Sequence, residues 1–186
     1  MDGSLYTAIN GLAGHIDAVD DFMAFISSYG QYLMLLVLVL LWFWPRLDRS
    51  RRQWSVITAA VAALLALATD QVISHLWERP RPFIAHAHLL LLAPSTDPSF
   101  PSDHAAGAFA IAVALVLFWR RIGWLMVFFA ALIAFSRVYT GEHYVSDVLA
   151  GALIGTLAAL IVYFARPLLA PLLEPPLRLA RRCHLA

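Results

Sequence analysis

Lysine is absent from the 186-residue sequence, so all 13 basic residues are arginines, and cysteine occurs once, at Cys183. A single cysteine excludes an internal disulfide framework and a cysteine-based metal cage. Charged residues make up only 13%, against about 25% in ordinary soluble domains. The net charge of +1 gives no reason to expect a nucleic-acid partner. The sequence is instead 61% hydrophobic with a mean hydropathy of +0.74, which indicates an integral membrane protein of one domain.

Five apolar stretches predict membrane-spanning helices, each of which needs about 20 apolar residues. They lie between residues 21 and 46, 54 and 77, 104 and 119, 122 and 138, and 145 and 165. Before them, apolar residues recur at helical spacing and predict an interfacial N-terminal helix (or a sixth span) within residues 1–20. The predicted fold is an all-α polytopic helical bundle, a single membrane-embedded domain over 1–186 with a basic tail at 166–186.

The arginines indicate how this bundle is oriented. Ten of the thirteen lie in the segments 46–52, 120–121 and 166–182, which share one side of the membrane if there are five spans. The positive-inside rule makes that side cytoplasmic. Arg79, Arg81 and Arg137 fall on the opposite, external side. Because they oppose the charge rule, they call for a functional explanation.

The external side also collects groups that bind phosphate. Ser102 precedes an apolar helix as an N-cap, and the unpaired amides behind it, with the helix dipole, form an anion site. Arg81 and Arg137 can each bind phosphate oxygens bidentately. A lone Ser102 would be an ordinary cap and a lone Arg137 a headgroup anchor. Their convergence on one face favours the functional interpretation.

Two histidines on the same side provide reactive nitrogens. His143 and Asp147 are four residues apart and share a helix face. Asp147 can hold one imidazole nitrogen and leave the other free to attack. His104 follows the anion-binding turn and can protonate a leaving oxygen. We therefore predict a metal-independent phosphoryl-transfer site that uses no cofactor.

Three motifs resemble the signature of the type 2 phosphatidic acid phosphatase superfamily, which includes membrane lipid phosphatases and soluble vanadium haloperoxidases. The motifs are Arg81-Pro82, Pro101-Ser102-Asp103-His104, and Ser136-Arg137-x5-His143-x3-Asp147. The sequence departs from the family at Ser74, where a lysine is usual, and at Asp103, where glycine is commonest. The runs 80–86 and 99–104 resemble the bacitracin-resistance branch of undecaprenyl-diphosphate phosphatases.

The resemblance implies a role for each motif residue. His143 would be the nucleophile that forms a phosphohistidine, Asp147 would orient it, and His104 would protonate the leaving group and then activate water. The phosphate would be held by Arg81, Arg137, Ser102 and the amides at Asp103 and His104. The substrate would be a polyprenyl diphosphate whose tail stays in the bilayer, and its hydrolysis would recycle a cell-wall lipid carrier.

Several alternatives stay open at the level of sequence. The substrate can be another lipid phosphate (phosphatidylglycerophosphate, phosphatidate or lipid A phosphate), and a binder or transporter of anionic lipids is a competing class. A haloperoxidase is disfavoured because those relatives are soluble. Glu78 can orient Arg81 or be a solvated acid, and Arg79 can touch a second phosphate or a headgroup. The roles of Asp70, Ser74, His86 and His88 are undecided.

Overall fold

The protein is described from a computed structural model that covers residues 2–45, 48–85 and 89–182. Within these ranges the secondary structure is helical, with no strand. The helices are α1 (Asp2–Asn10), α2 (Asp17–Phe43), α3 (Arg49–Leu76), α4 (Pro82–Ala85), α5 (Asp103–Phe118), α6 (Arg120–Tyr139) and α7 (Val145–Arg182). The predicted all-α fold is confirmed.

In the described part of the chain, four helices are long and apolar enough to cross a membrane: α2, α3, α6 and the Val145–Pro175 part of α7. The third predicted span, 104–119, corresponds to α5, an apolar helix of 16 residues. At about 1.5 Å per residue, α5 is about 24 Å long, which is shorter than the hydrocarbon core of about 30 Å. The protein is therefore a multi-pass membrane protein in which α5 is the short, central helix.

Helix α5 forms the core because its small side chains let neighbouring helices approach closely. It packs against α3, α6 and α7, and its buried residues are mostly alanines. A Cβ added at Gly155 of α7 would lie 2.2 Å from the Ala106 carbonyl oxygen, and one at Gly151 would lie 2.4 Å from that of Ser102. At these two positions the backbones of α5 and α7 can approach this closely only because α7 has glycine, as in other close-packed membrane helices.

Replacing Gly155 by alanine should destabilise the bundle by about 1–3 kcal/mol, because the added methyl group forces α5 and α7 apart. The measurement is chemical denaturation in mixed micelles. Ala131→Val, on the exposed face of α6, adds more volume without a neighbouring helix and should leave stability within about 0.5 kcal/mol. Equal stability of the Gly155 variant and the wild type would contradict the close approach of these helices.

The predicted N-terminal helix is divided in two. Helix α1 ends at Asn10 and α2 begins at Asp17, so residues 17–20 belong to the first span. Gly14 adopts a left-handed backbone with φ of 81°, which ends helical geometry, and its N–H donates to Asp20 Oδ2 at 2.9 Å. The nine residues of α1, at about 1.5 Å each, are too short to span a bilayer.

The arginine-rich segments meet at one end of the bundle. The Arg51 guanidinium at the start of α3 lies 4.4 Å from the centre of the Trp119 ring. Arg166 lies 3.7 Å from the Tyr163 ring centre and 4.8 Å from that of Phe118. The predicted basic tail continues α7 as far as Arg182, and Cys183 lies outside the described residues. The opposite end of the bundle carries the residues of the three sequence motifs.

Candidate active site

A cavity of about 380 Å³ opens at the end of the bundle opposite these segments. Of the seven predicted site residues, five line it: Arg81, Asp103, His104, Arg137 and His143. Ser102 and Asp147 are fully buried and make backbone contact, since Ser102 N–H donates to the Asp147 carbonyl at 3.1 Å. The fold thus brings the three separated sequence motifs together around one space.

The His143 ring is held through Nδ1. Its Nδ1 lies 2.8 Å from the Ser99 carbonyl oxygen and 3.7 Å from Asp147 Oδ2. Because a carbonyl oxygen only accepts, Nδ1 carries the proton and Nε2 retains its lone pair. The closest orienting partner of the ring is therefore Ser99, whereas Asp147, which the motif predicts for this task, lies just beyond hydrogen-bond distance.

Asp147 connects the groups around this histidine. Its Oδ2 accepts hydrogen bonds from Ser99 Oγ and from the Tyr144 N–H, the latter at 2.9 Å, and its Oδ1 accepts from Arg79 Nη1 at 2.6 Å. The bond to Tyr144 is half of a capping box, since Asp147 is in the first turn of α7. Asp147 thereby anchors both the start of α7 and the residue that holds His143.

Burial lowers the pKa of His143 to about 4, with Asp147 opposing the shift and Arg137 and Arg81 reinforcing it. A lowered pKa favours the neutral imidazole, so protonation should remove the free Nε2 lone pair only as the pH falls to about 4. In ¹⁵N-imidazole spectra of the micellar protein, the His143 signal should keep its neutral Nδ1–H form at pH 5.5. The His143→Asn variant assigns the signal, and a midpoint between pH 6 and 7 would contradict this expectation.

The two motif arginines share a buried carboxylate. Glu142 Oε2 accepts from Arg81 Nη1 at 2.5 Å and from Arg137 Nη2 at 3.4 Å, and Glu142 is 2% exposed. Arg137 Nη1 also donates to Ser27 Oγ at 3.0 Å, while its Nε is buried without a partner among the described residues. Two guanidinium groups around one carboxylate leave one positive charge available to an anion.

The start of α5 supplies further donors. The first helical hydrogen bond runs from the Ala106 N–H to the Ser102 carbonyl at 2.9 Å, so the amides of Asp103 and His104 have no partner within the helix. The Ser102 hydroxyl makes no capping bond and has no partner in the described part of the chain. Free amides beside a free hydroxyl at a helix N-terminus suit an anion.

Two residues of this site escape sequence reasoning. In the sequence, Ser99 is only the first residue of the run 99–104 that resembles the bacitracin-resistance branch. It holds His143 mainly through its backbone carbonyl, and residue identity gives no signal for such a contact. Glu142 is the one charged residue in the five-residue spacer of the third motif, and that charge is the signal that the sequence offers. Arg81 is oriented by Glu142 and by the Asp97 carbonyl, 2.8 Å from its Nε, rather than by the exposed Glu78.

The polar residues whose roles the sequence leaves undecided lie in different surroundings, some in the cavity and some outside it. Ser74, at the usual lysine position, lines the cavity and donates to the Gln71 carbonyl of its own helix at 3.0 Å. Asp70 is fully buried on α3, and its carboxylate oxygens have no hydrogen-bond partner among the residues described. Arg79 faces acidic residues. His86 and His88 lie outside the described residues.

Comparison with known proteins identifies the family of this chain. The chain matches the model of the PAP2 superfamily over residues 54–169. It is 33% identical over 96% of its length to undecaprenyl-diphosphatase BcrC of Bacillus subtilis, covering 91% of that protein. It is 34% identical over 87% of its length to the putative undecaprenyl-diphosphatase YbjG of Escherichia coli, covering 82% of it.

A solved structure extends the similarity to three dimensions. The crystal structure of Aquifex aeolicus LpxE superposes with a TM-score of 0.74 at 27% identity, over 86% of this chain and 93% of that one. The fold and the cavity define a membrane-embedded lipid phosphatase. The chain belongs to the PAP2 superfamily, as its three motifs predict.

Proposed function

We propose that the protein hydrolyses undecaprenyl diphosphate to undecaprenyl phosphate and inorganic phosphate through a phosphohistidine on His143. The observation that carries this proposal is the His143 ring, fixed through Nδ1, in a cavity that it shares with His104 and two arginines. A fixed ring with one free nitrogen beside an anion site is the arrangement that in-line attack on phosphorus needs.

In the first step, His143 Nε2 attacks the terminal phosphorus, and the bond from that phosphorus to the bridging oxygen breaks. His104 gives its proton to the departing undecaprenyl phosphate. The negative diphosphate favours the protonated form of His104 when the substrate is bound. Arg81, Arg137 and the amides at the start of α5 stabilise the charge on the transferring group.

In the second step, neutral His104 takes a proton from water, whose oxygen attacks the phosphohistidine. The phosphorus–nitrogen bond breaks, inorganic phosphate leaves, and His143 regains its lone pair. The positive groups around the phosphate are protein groups in both steps, so we propose a reaction that needs no metal.

The choice of a prenyl diphosphate is supported by the two relatives compared above. Both are named as undecaprenyl-diphosphatases, one of them as putative, and both align with most of this chain. Phosphate release by detergent-purified protein in excess EDTA tests it, with undecaprenyl diphosphate and phosphatidylglycerophosphate at equal surface concentration. We expect faster release from the prenyl substrate. Preference for the glycerophospholipid would refute the substrate, whereas binding without phosphate release would instead favour a lipid binder or transporter.

We further propose that the active site faces the outside of the bacterial plasma membrane and that α7 ends in the cytoplasm, because the arginine-rich segments lie at the opposite end. A Ser95→Cys variant in a Cys183→Ser background should react with an impermeant thiol reagent added to intact cells. Ser95 lines the cavity. Labelling that requires permeabilised cells would reverse this orientation.

A further inference from the structure

Arg79 lies outside the three motifs and does not line the cavity. Its Nη1 donates to Asp147 Oδ1 and to Ser146 Oγ, each at 2.6 Å, and its Nη2 pairs with Asp2 Oδ2 at 2.6 Å. The guanidinium also lies 4.1 Å from the centre of the Tyr144 ring. Arg79 is thus held by residues of α1 and of the start of α7.

Two short routes lead from Arg79 to His143. Through its side chain, Arg79 pairs with the fully buried Asp147, whose other oxygen accepts from Ser99 Oγ. Through its backbone, the Arg79 carbonyl accepts the Ser99 N–H at 2.8 Å. Ser99 in turn holds His143 Nδ1 with its own carbonyl. Both the side chain and the main chain of Ser99 are therefore positioned from Arg79.

Helix α1 contacts both Arg79 and the start of α7 through Asp2. Asp2 accepts hydrogen bonds from Ser146 Oγ at 2.5 Å and from the Ser146 N–H at 3.1 Å, in addition to its pair with Arg79. Burial opposes the charge on Asp2, but the bonds from Ser146 and Arg79 outweigh it and lower the Asp2 pKa. Asp2 is therefore ionised at neutral pH. Tyr6 of α1 packs edge-on against Tyr144, with ring centres 5.6 Å apart.

We propose that Arg79 is a positioning residue, held by Asp2 of α1, which keeps Asp147 and Ser99 in place and thereby holds the His143 ring in its reactive orientation. Helix α1 thus contributes to turnover without touching the substrate. This inference rests on the proposed function, in which His143 is the nucleophile. Since misplacing a reacting group by about 1 Å can cost about 10²-fold in rate, the expected effect is on kcat rather than on KM.

The test compares Arg79→Gln, Arg79→Lys and Asp2→Asn in steady-state kinetics per active site, where active sites are counted by trapped phosphoenzyme. Arg79→Gln should lower kcat by about 10²-fold with KM within about twofold. Arg79→Lys should recover part of this loss, because an ammonium can pair with Asp147 but lacks the planar fork that reaches Asp2 as well. Asp2→Asn should lower kcat by a smaller factor, about three- to tenfold.

The double variant Asp2→Asn/Arg79→Gln should be no slower than Arg79→Gln alone, because Asp2 acts through Arg79. Matched controls are Asp21→Asn, an exposed acid at the start of α2, and Arg120→Gln, an exposed arginine at the far end of the bundle. Both should keep the wild-type kcat. If Arg79→Gln does not fold, the Asp2→Asn variant tests the same coupling on a partly exposed group.

The outcomes separate this inference from the proposed function. A higher KM at unchanged kcat in Arg79→Gln would mean that Arg79 binds substrate and would overturn the inference. So would a lower melting temperature with unchanged kcat per active site, because that is the result of a merely structural role. Wild-type protein that turns over substrate without forming any phosphoenzyme would instead refute the nucleophilic role of His143 itself.

Discussion

Replacing His143 by alanine should abolish turnover, with a loss of at least about 10³-fold in kcat. The reason is that the buried His143 ring is fixed through Nδ1 on the Ser99 carbonyl in the cavity that the two arginines line. His75 also lines this cavity and bonds the Gln71 carbonyl of its own helix through Nδ1, but it is exposed. Removal of a nucleophile costs far more than removal of a group that only stabilises charge. The measurement is phosphate release from undecaprenyl diphosphate in detergent micelles.

The same variant should also fail to form a phosphoenzyme. In the wild type, a labelled phosphoryl group should be trapped on the protein, lost in acid and retained in base, as expected of a phosphorus–nitrogen bond. His15→Ala changes an exposed histidine in the turn between α1 and α2 and should leave both results as in the wild type. Retention of more than about one-tenth of the rate by His143→Ala, or an acid-stable adduct, would refute the covalent route.

Replacing Glu142 by glutamine should destabilise the protein by about 3–5 kcal/mol, the usual cost of leaving a buried charge without its partner. Glu142 is the carboxylate that Arg81 and Arg137 share, and without it two buried guanidinium groups face each other. The same change should strengthen binding of inorganic phosphate at least about tenfold, because the anion then meets a second uncompensated positive charge. Chemical denaturation with and without phosphate measures both effects.

Saturating phosphate should therefore restore stability to the Glu142→Gln variant more than it stabilises the wild type. Glu78→Gln is the matched control, since Glu78 lines the same cavity but is exposed; its stability should change by less than about 0.5 kcal/mol. A Glu142→Gln variant with wild-type stability and wild-type phosphate affinity would show that the carboxylate does not balance the two arginines.

Most of the fold could be predicted from composition and periodicity, because the bilayer imposes helices of a minimum length on an apolar chain. The helix bounds that were predicted wrongly are those set by local backbone contacts. The N-terminal stretch looked continuous, yet the left-handed Gly14 and its bond to Asp20 separate α1 from α2. Side-chain periodicity does not reveal such a break, because apolar residues continue through it at helical spacing.

Within the candidate site, the residues with distinctive side-chain chemistry were accessible from the motifs. His104, His143 and the two arginines could be named because their spacing and order are specific, and they do line one cavity. The alignment of the His143 ring was not accessible. It depends on the Ser99 carbonyl. Because every residue has the same backbone carbonyl, the sequence does not indicate which one holds the ring.

The sequence by itself determined that this is a helical membrane protein and which ionisable groups share its active end, because hydropathy and residue order act along the chain. Only the tertiary structure decided which of those groups are paired. Glu142 between two arginines, and Asp2 with Arg79 across 77 residues of sequence, are contacts made by distant segments. Their electrostatic energies depend on distance and burial, and both quantities exist only once the helices have packed.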